Sequence, residues 1–467
     1  RGLGSNRIEY RLRQQDFTYK KEKDCGPLLP DCVNVEERDA VLLVGAYPRH
    51  EQPLLNLRLR KAALKGSAVM TIDSHARDFN FAMQERVLIP PSQLVASLAS
   101  VVQMVGQRKR DAGFEDLELS SKQEILEPEN LTRVASLLLK AKRPLIVFGA
   151  GVEQHQQRSI LVGLTQKLAN SLDAELISLS SGANFRGAWL LDSLLGDSEA
   201  DASKSQWKSL AGIGESTPEL AMLMDVDPLL DCARSASVIN SLRKVPRVVS
   251  LSSFESETVN SLADVILPIA VYAENEGTFV NLSGKWQGFE SAISPTGNAR
   301  PAWKIFRVLG NALSIPGFQA VNRKEITSEI QDVWEDSRKV DISISDLDNL
   351  EIANHTATNL SSLEVVVEIP IYRTDALVRH ASALQETFGS GDDFLRIASS
   401  SATAAGLSSG DLVSIVAEGR SASAEIRIDD SLAEGVCLIH GGREKLSYVA
   451  LDGGTALLTR VVGDTVQ

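Results

Sequence analysis

Arg49 and Glu51 are the first residues of the chain whose type and position suggest chemistry. They lie in residues 45–51, which directly follow the continuous apolar run Ala40–Val44. Such a run is typical of a strand buried on both faces of a parallel sheet, and open parallel sheets bind ligands beyond the carboxyl ends of their strands. An arginine there can hold a phosphate through two hydrogen bonds. We therefore predict that Arg49 and Glu51 bind a cofactor; alternatively, they pair with each other or dock a neighbouring domain.

The glycine pair Gly149 and Gly151 is the second candidate site. It follows the predicted strand Pro144–Phe148 and precedes a predicted helix. The pair supplies the first two glycines of a dinucleotide-binding fingerprint, in which glycines let the backbone approach a pyrophosphate. Gln154 stands at the position of the third glycine. The pattern therefore indicates either a vestigial nucleotide-binding loop or a tight structural turn at a sheet edge.

The cysteines and histidines give no pattern typical of a metal site. An iron–sulfur cluster takes four thiolates, several of them closely spaced, whereas the four cysteines lie at positions 25, 32, 232 and 437. The six histidines show no grouping typical of zinc ligands. The sequence contains no Ser-His-Asp, Gly-x-Ser-x-Gly or Walker pattern. We therefore predict no metal site and no catalytic residue in this chain.

The overall composition excludes several classes of protein. A net charge of −13 argues against a nucleic-acid partner, because a phosphate backbone requires a basic surface. No stretch approaches the ~20 apolar residues of a membrane span. Four cysteines among 467 residues indicate a reducing compartment without a disulfide framework. The chain begins at Arg1 without an initiator Met, so we predict that it is a fragment of a longer protein.

Strand–helix–strand units recur along residues 39–330. Crossovers between such strands are nearly always right-handed and the strands parallel. We therefore predict an α/β body with parallel sheets over this range. The apolar runs predicted to be strands are residues 40–44, 68–72, 144–148, 174–178, 247–251 and 265–267.

Three other segments differ from this body in composition. Residues 1–38 are polar and are predicted to form a connecting arm. Residues 331–384 are acidic and rich in Ser and Asn, which predicts a linker and a return segment. Residues 385–467 contain short alternating segments separated by glycines. This last pattern predicts a separate β-rich C-terminal domain.

A run in the middle of the chain carries a family resemblance. Residues 263–268 read Ala-Asp-Val-Ile-Leu-Pro, and residues 273–281 read Ala-Glu-Asn-Glu-Gly-Thr-Phe-Val-Asn. This order resembles the molybdopterin-oxidoreductase superfamily, in which D-V-x-L-P leads into E-x-x-G-T-F-x-N-x-E-G-R-x-Q. The usual Glu-Gly-Arg is replaced by Ser-Gly-Lys at residues 283–285. Within the superfamily, the G subunits of bacterial NADH:quinone oxidoreductase, respiratory complex I, are most similar, through residues 1–13, 44–61 and 370–379.

The resemblance implies both a fold and a role. The fold is a molybdopterin-oxidoreductase-like multidomain body with parallel sheets and a C-terminal barrel. The role is that of a G-subunit fragment, a scaffold of the peripheral arm that supports electron transfer from NADH to quinone. No cofactor is then expected in this fragment, and the iron–sulfur clusters would belong to a missing N-terminal region. The implied partners are other peripheral-arm subunits, with membrane association only through the complex, at the cytoplasmic side of the bacterial inner membrane.

Two other functions stay open at this point. The first is an active molybdopterin-dependent oxidoreductase of the formate dehydrogenase or nitrate reductase type. That enzyme needs a side-chain ligand to molybdenum, and the expected N-terminal place, residues 6–11, offers no Cys. The second is a free-standing dinucleotide-binding enzyme, which rests on Gly149 and Gly151 alone.

Overall fold

A computed structural model of the chain describes residues 8–16, 32–109, 126–179, 182–195, 218–337, 362–417, 420–449 and 454–461. These residues form two parallel sheets, an antiparallel hairpin and a closed β-barrel. The predicted α/β fold class, with parallel sheets and a C-terminal barrel, is confirmed.

The first sheet has five parallel strands in the order β3-β2-β1-β4-β5. Every residue of the two inner strands β1 and β4 is buried, as their continuous apolar sequences predict. The carboxyl ends of β1 and β4 are therefore adjacent, which brings the loops after them together. The strands are β1 (Ala40–Val44), β2 (Ala68–Asp73), β3 (Glu85–Leu88), β4 (Pro144–Phe148) and β5 (Glu175–Ser178).

Helices cover both faces of the first sheet. Apolar residues of α3, α4 and α6 pack on one face, and those of α2 pack on the other. In the segment after β1, Pro48 starts a one-turn helix, because proline fits the first position of a helix. The helices are α1 (Pro48–Glu51), α2 (Pro53–Leu64), α3 (Leu94–Lys109), α4 (Pro128–Lys140), α5 (Ala150–Glu153), α6 (Arg158–Leu172) and α7 (Phe185–Leu195).

The second sheet has three parallel strands in the order β6-β7-β8. Residues of α9 pack on one of its faces. On the other face Leu220, Met222 and Met224 are 49%, 39% and 54% exposed, so the described residues leave this face largely bare. The elements are β6 (Leu220–Met224), α8 (Pro228–Asp231), α9 (Ser235–Leu242), β7 (Arg247–Ser252), α10 (Glu257–Leu262) and β8 (Val265–Pro268).

A hairpin and two helices complete the body. The hairpin pairs β9 with β10, and it coincides with the acidic, glycine-containing run noted in the sequence. Helix α12 extends into the predicted linker, and residues 338–361 of that linker lie outside the described residues. The elements are β9 (Gly277–Val280), β10 (Trp286–Phe289), α11 (Ala302–Ala312) and α12 (Arg323–Ser337).

The barrel closes in the order β11-β15-β12-β14-β13-β16, with β16 paired to β11. Its first strand precedes residue 385, where the sequence placed the start of the C-terminal domain. Closure requires this strand, because without it β15 and β16 would both be sheet edges. The strands are β11 (Ser362–Glu368), β12 (Leu395–Ile397), β13 (Leu412–Ala417), β14 (Arg420–Ile428), β15 (Val436–His440) and β16 (Thr455–Arg460).

The barrel docks on both sheets of the body. Glu364 on β11 accepts hydrogen bonds from the backbone N–H and the hydroxyl of Ser92 (2.8 and 2.5 Å). The Ser235 hydroxyl, at the start of α9, donates to the carbonyl of Ser447 (3.0 Å). The remaining helices lie in and around the barrel and are α13 (Ala376–His380), α14 (Ser382–Gln385), α15 (Ser399–Ala404) and α16 (Glu444–Ser447).

Candidate functional site

The two glycine-containing loops at the first sheet touch each other directly. Gly45 has a φ of +49°, and its carbonyl accepts a 2.8 Å hydrogen bond from the N–H of Gly151. A Cβ atom on Gly151 would lie 2.8 Å from the Gly45 Cα, closer than any side chain tolerates. Both glycines are therefore required by loop-to-loop packing.

Glu51, the last residue of α1, joins the same two loops. Its Oε1 accepts a hydrogen bond from the N–H of Tyr47 (2.5 Å), and its Oε2 accepts one from the N–H of Ala150 (2.9 Å). A Cβ atom on Gly149 would lie 2.7 Å from Oε1, so glycine at this position makes room for the carboxyl group. Burial raises the pKa of Glu51 to about 7, against the opposing effect of the two N–H donors.

Arg49 lies apart from this contact. Its guanidinium donates to the carboxylate (2.5 Å) and the carbonyl (3.1 Å) of Asp78, in the loop after β2. The N–H of Asn80 and the guanidinium of Arg49 lower the pKa of Asp78. The side chain of Arg49 is 36% exposed, so this ion pair lies at the surface. The structure thus brings Glu51, Gly149 and Gly151 together and leaves Arg49 with a partner that the sequence did not suggest.

A buried ion cluster attaches the barrel to this edge of the first sheet. The guanidinium of Arg77 binds Glu368 of β11 (2.6 Å) and Asp73 at the end of β2 (3.1 Å). Burial alone would raise the pKa of Glu368, but Arg77 and two nearby histidines, His50 and His75, hold it well below its usual range. The loops at this carboxyl edge therefore form part of the contact between body and barrel.

The loop after β6 repeats the geometry of the loop after β1. Asp225 has a φ of +51°, and its N–H binds the carbonyl of Leu251 (2.7 Å), just as the N–H of Gly45 binds that of Ile72 (2.9 Å). A proline then starts a one-turn helix in each loop. In the second loop, the carboxylate of Asp231 accepts the N–H of Asp227 (2.8 Å), as Glu51 accepts that of Tyr47.

This repeat is the feature that the sequence prediction missed. The spacing of the turn residue, the proline and the acid is the same in residues 45–51 and 225–231. The signal was therefore present, but Gly45 corresponds to Asp225 and Glu51 corresponds to Asp231, so a search for identical residues does not find it. What the two loops share is a positive φ, a proline and a carboxyl group.

The second loop opens on a cavity of ≈ 550 Å³ between the second sheet and the barrel. Arg379 lines this cavity, and its buried guanidinium donates two hydrogen bonds to the carboxylate of Asp231 (2.7 and 3.2 Å). Charged side chains of both signs line the cavity. The segments after β6 and β7 carry the carboxylates Asp225, Asp227, Glu255 and Glu257, and the facing elements carry Arg373, Arg443 and Lys445 together with Asp393, Glu444 and the ring of His380.

Two further contacts shape this cavity. The ring of Phe254 stacks on the ring of His380, with centroids 4.2 Å apart and planes 9° apart. Arg443 binds Asp393 through two hydrogen bonds (2.6 and 2.8 Å) and thereby lowers the pKa of Asp393. The cavity thus offers a planar stacking surface beside charged groups, which suits a ligand that has a ring and an ionised group.

In the described ranges, no three His, Cys, Asp or Glu side chains are placed to hold a metal ion. Burial raises the pKa of both Cys232 and Cys437 to about 12, so these thiols are protonated and are poor metal ligands. Cys25 lies outside the described residues, as does the side chain of Cys32. The helices of the described part include none with the length and hydropathy needed to span a bilayer.

Comparisons with known proteins agree with this architecture. A family model described as molybdopterin oxidoreductase matches residues 2–312. The mitochondrial NADH-ubiquinone oxidoreductase 78 kDa subunit of Candida albicans is 27% identical over 60% of this chain and 32% of its own length. Its counterpart in Neurospora crassa is 23% identical over 75% of this chain and 42% of its own length. The chain therefore spans less than half the length of these relatives.

A catalytic enzyme and a solved structure are also similar to this chain. The formate dehydrogenase alpha subunit of Methanocaldococcus jannaschii is 23% identical over 88% of this chain and 73% of its own length. The structure of acetylene hydratase from Pelobacter acetylenicus matches with a TM-score of 0.66 and 12% identity. That match covers 92% of this chain and 80% of the other, and it supports the fold alone.

Proposed function

We propose that this chain, which belongs to the molybdopterin oxidoreductase family, is part of the G subunit of a bacterial NADH:quinone oxidoreductase. In this proposal it acts as a scaffold of the peripheral arm and performs no chemical step itself. The relatives in Candida albicans and Neurospora crassa support this assignment, since both are named as subunits of NADH-ubiquinone oxidoreductase.

The observation that carries the scaffold role is the buried cluster at the first sheet edge. In an open parallel sheet, the loops beyond the carboxyl ends of the strands usually serve a ligand. Here Arg77 from that edge binds Glu368 of the barrel instead, and Asp73 of the same edge binds Arg77. Removing one partner of such a buried pair costs about 3–5 kcal/mol, because the other charge is left buried and unpaired. Docking of the barrel on the body therefore requires both partners.

The proposal includes the surroundings of the chain. Iron–sulfur clusters would lie in an N-terminal region upstream of these residues, and electrons would pass from NADH to quinone through other parts of the complex. The partners would be other peripheral-arm subunits, at the cytoplasmic side of the bacterial inner membrane, with no nucleic acid involved. The net charge of −13 supports this last point.

Purification of the full-length native protein in mild detergent tests the proposal. We expect it to elute together with NADH:quinone oxidoreductase activity and with iron, and to contain neither molybdenum nor pterin in amounts comparable to the protein. Residues 1–467 expressed alone should be colourless and redox-silent, which provides a matched control for the upstream clusters. Elution apart from that activity would contradict the proposal.

The second candidate function is an active molybdopterin-dependent oxidoreductase. The similarity to a formate dehydrogenase subunit and the open cavity between the second sheet and the barrel favour this function. Arg373, Arg443 and Lys445 suit the phosphate groups of such a cofactor, whose molybdenum would supply the redox chemistry. Among the described residues, no three His, Cys, Asp or Glu side chains are grouped so that they could hold a metal ion. Molybdenum and pterin bound at one or more equivalents in the native protein would establish this function in place of the scaffold role.

A further inference from the structure

The donor that a phosphate would use at the first sheet edge is already engaged. In a dinucleotide-binding sheet, backbone N–H groups of the glycine turn after a strand bind the phosphates. Here the N–H of Ala150, directly after Gly149, donates to Glu51 Oε2 at 2.9 Å. The N–H of Gly151 donates to the carbonyl of Gly45 at 2.8 Å. Neither of these two donors faces a site for an incoming ligand.

The space at this turn is also filled. A single methyl group on Gly149 would meet both carboxyl oxygens of Glu51, at 2.7 and 2.8 Å, and the Cα of Ala46 at 2.7 Å. Arg77 lies over the ring of Tyr47, with its guanidinium carbon 5.0 Å from the ring centroid, and ties that side of the loop to the barrel. A phosphate, which is much larger than a methyl group, has no room there.

We propose that Glu51 blocks ligand binding at the carboxyl edge of the first sheet. Its carboxyl group fills the space that a ligand phosphate would need and accepts the Ala150 N–H that the phosphate would otherwise bind. A phosphate-bearing cofactor is therefore excluded from the loops after β1 and β4. In the corresponding loop after β6, the carboxylate of Asp231 accepts a hydrogen bond from Arg379, and this loop borders an open cavity. The inference concerns a ligand that is excluded, so it goes beyond the proposed subunit role and does not depend on assembly with other subunits.

Hydrogen–deuterium exchange of peptides covering residues 45–51 and 149–153 tests this proposal. In the wild-type protein, millimolar inorganic pyrophosphate should leave their exchange unchanged. Replacement of Glu51 by alanine frees the Ala150 N–H, and exchange of the second peptide should accelerate about tenfold, the effect of one lost hydrogen bond. Acetate, which resembles the deleted end of the side chain, should then restore part of the protection, about threefold at a concentration of twice its Kd.

Glu153→Gln is the matched control. Glu153 lies in the same helical turn but binds Arg158 (2.7 Å) and the hydroxyl of Ser178 (3.0 Å), away from the Ala150 N–H. Acetate should therefore not change exchange of the 149–153 peptide in this variant. Sodium chloride at equal ionic strength separates a specific carboxylate effect from general screening.

Two results would overturn the proposal. The first is protection of either wild-type peptide by pyrophosphate. The second is a folded Glu51→Ala variant that exchanges like the wild type and does not respond to acetate. Should this variant fail to fold, Glu51→Gln decides, since it keeps the side-chain volume. If pyrophosphate changes hydrogen exchange of either peptide in Glu51→Gln, the proposal is rejected. If exchange of this variant is the same with and without pyrophosphate, the proposal is supported.

Discussion

Substitution of Glu51 by glutamine should make the stability of the first sheet less dependent on pH. The pKa of Glu51 is raised from its ordinary 4.5 to about 7 by burial, so the fold prefers the protonated carboxyl group. This contribution is fully present below pH 4.5 and is lost as the pH rises through 7. Linkage then gives a wild-type loss of about 2.5 kcal/mol between pH 5 and pH 8, relative to a variant that does not titrate.

Urea unfolding of both proteins at half-unit pH steps measures this loss. Far-ultraviolet circular dichroism reports the transition that includes the first sheet, and the quantity of interest is the difference in free energy of unfolding between wild type and variant. Subtraction removes the titration of all other groups, provided that the slopes with urea agree. Glutamine has only one side-chain oxygen, so it can accept only one of the two N–H hydrogen bonds. We therefore expect the variant to be less stable than the wild type at pH 5 and comparable to it at pH 8.

A free-energy difference that stays constant from pH 5 to pH 8 would refute this reasoning. It would mean that Glu51 is ionised throughout, and that the N–H donors of Tyr47 and Ala150 outweigh burial. This result would leave the hydrogen-bond geometry of Glu51 intact while rejecting the conclusion that burial outweighs the two donors.

Three other substitutions address the remaining contacts. Glu368→Gln leaves Arg77 buried with a weakened partner, and should destabilise the docked barrel by about 3–5 kcal/mol, measured as faster hydrogen exchange along β11. Arg379→Met leaves Asp231 without its buried partner, and should lower stability by a similar amount in urea; unchanged stability would contradict the role of this pair. Arg49→Ala removes a surface ion pair, and should change stability by less than about 1 kcal/mol with assembly retained, as gel filtration with partner subunits would show.

Continuous apolar runs made part of the fold predictable. Strands β1 and β4 are buried throughout, so their sequences indicate strands without reference to the rest of the chain. Strand β11 was not predicted, because Glu364 and Glu368 make it resemble the acidic segment before it. Those two carboxylates bind Ser92 and Arg77 of the body. The sequence of the strand itself does not show that these partners lie opposite it.

The candidate site was predictable only in its location. The carboxyl edge of the first sheet followed from the strand pattern, and Glu51, Gly149 and Gly151 do meet there. Their roles depend on distances between loops that lie about a hundred residues apart in sequence, which spacing within one loop does not encode. The same holds for Arg49, whose partner Asp78 lies on a different loop.

The pairing of β11 with β16 has a consequence for synthesis of the protein. The first and last strands of the barrel are hydrogen-bonded neighbours, so the ring stays open until the ribosome has released residue 460. During that interval β11 and β13 each expose an unpaired edge, which is the kind of surface that joins other chains. Nascent chains that stall or end before Thr455 should therefore be substrates for chaperones and prone to aggregate, although strands β11 to β15 of the barrel are already present.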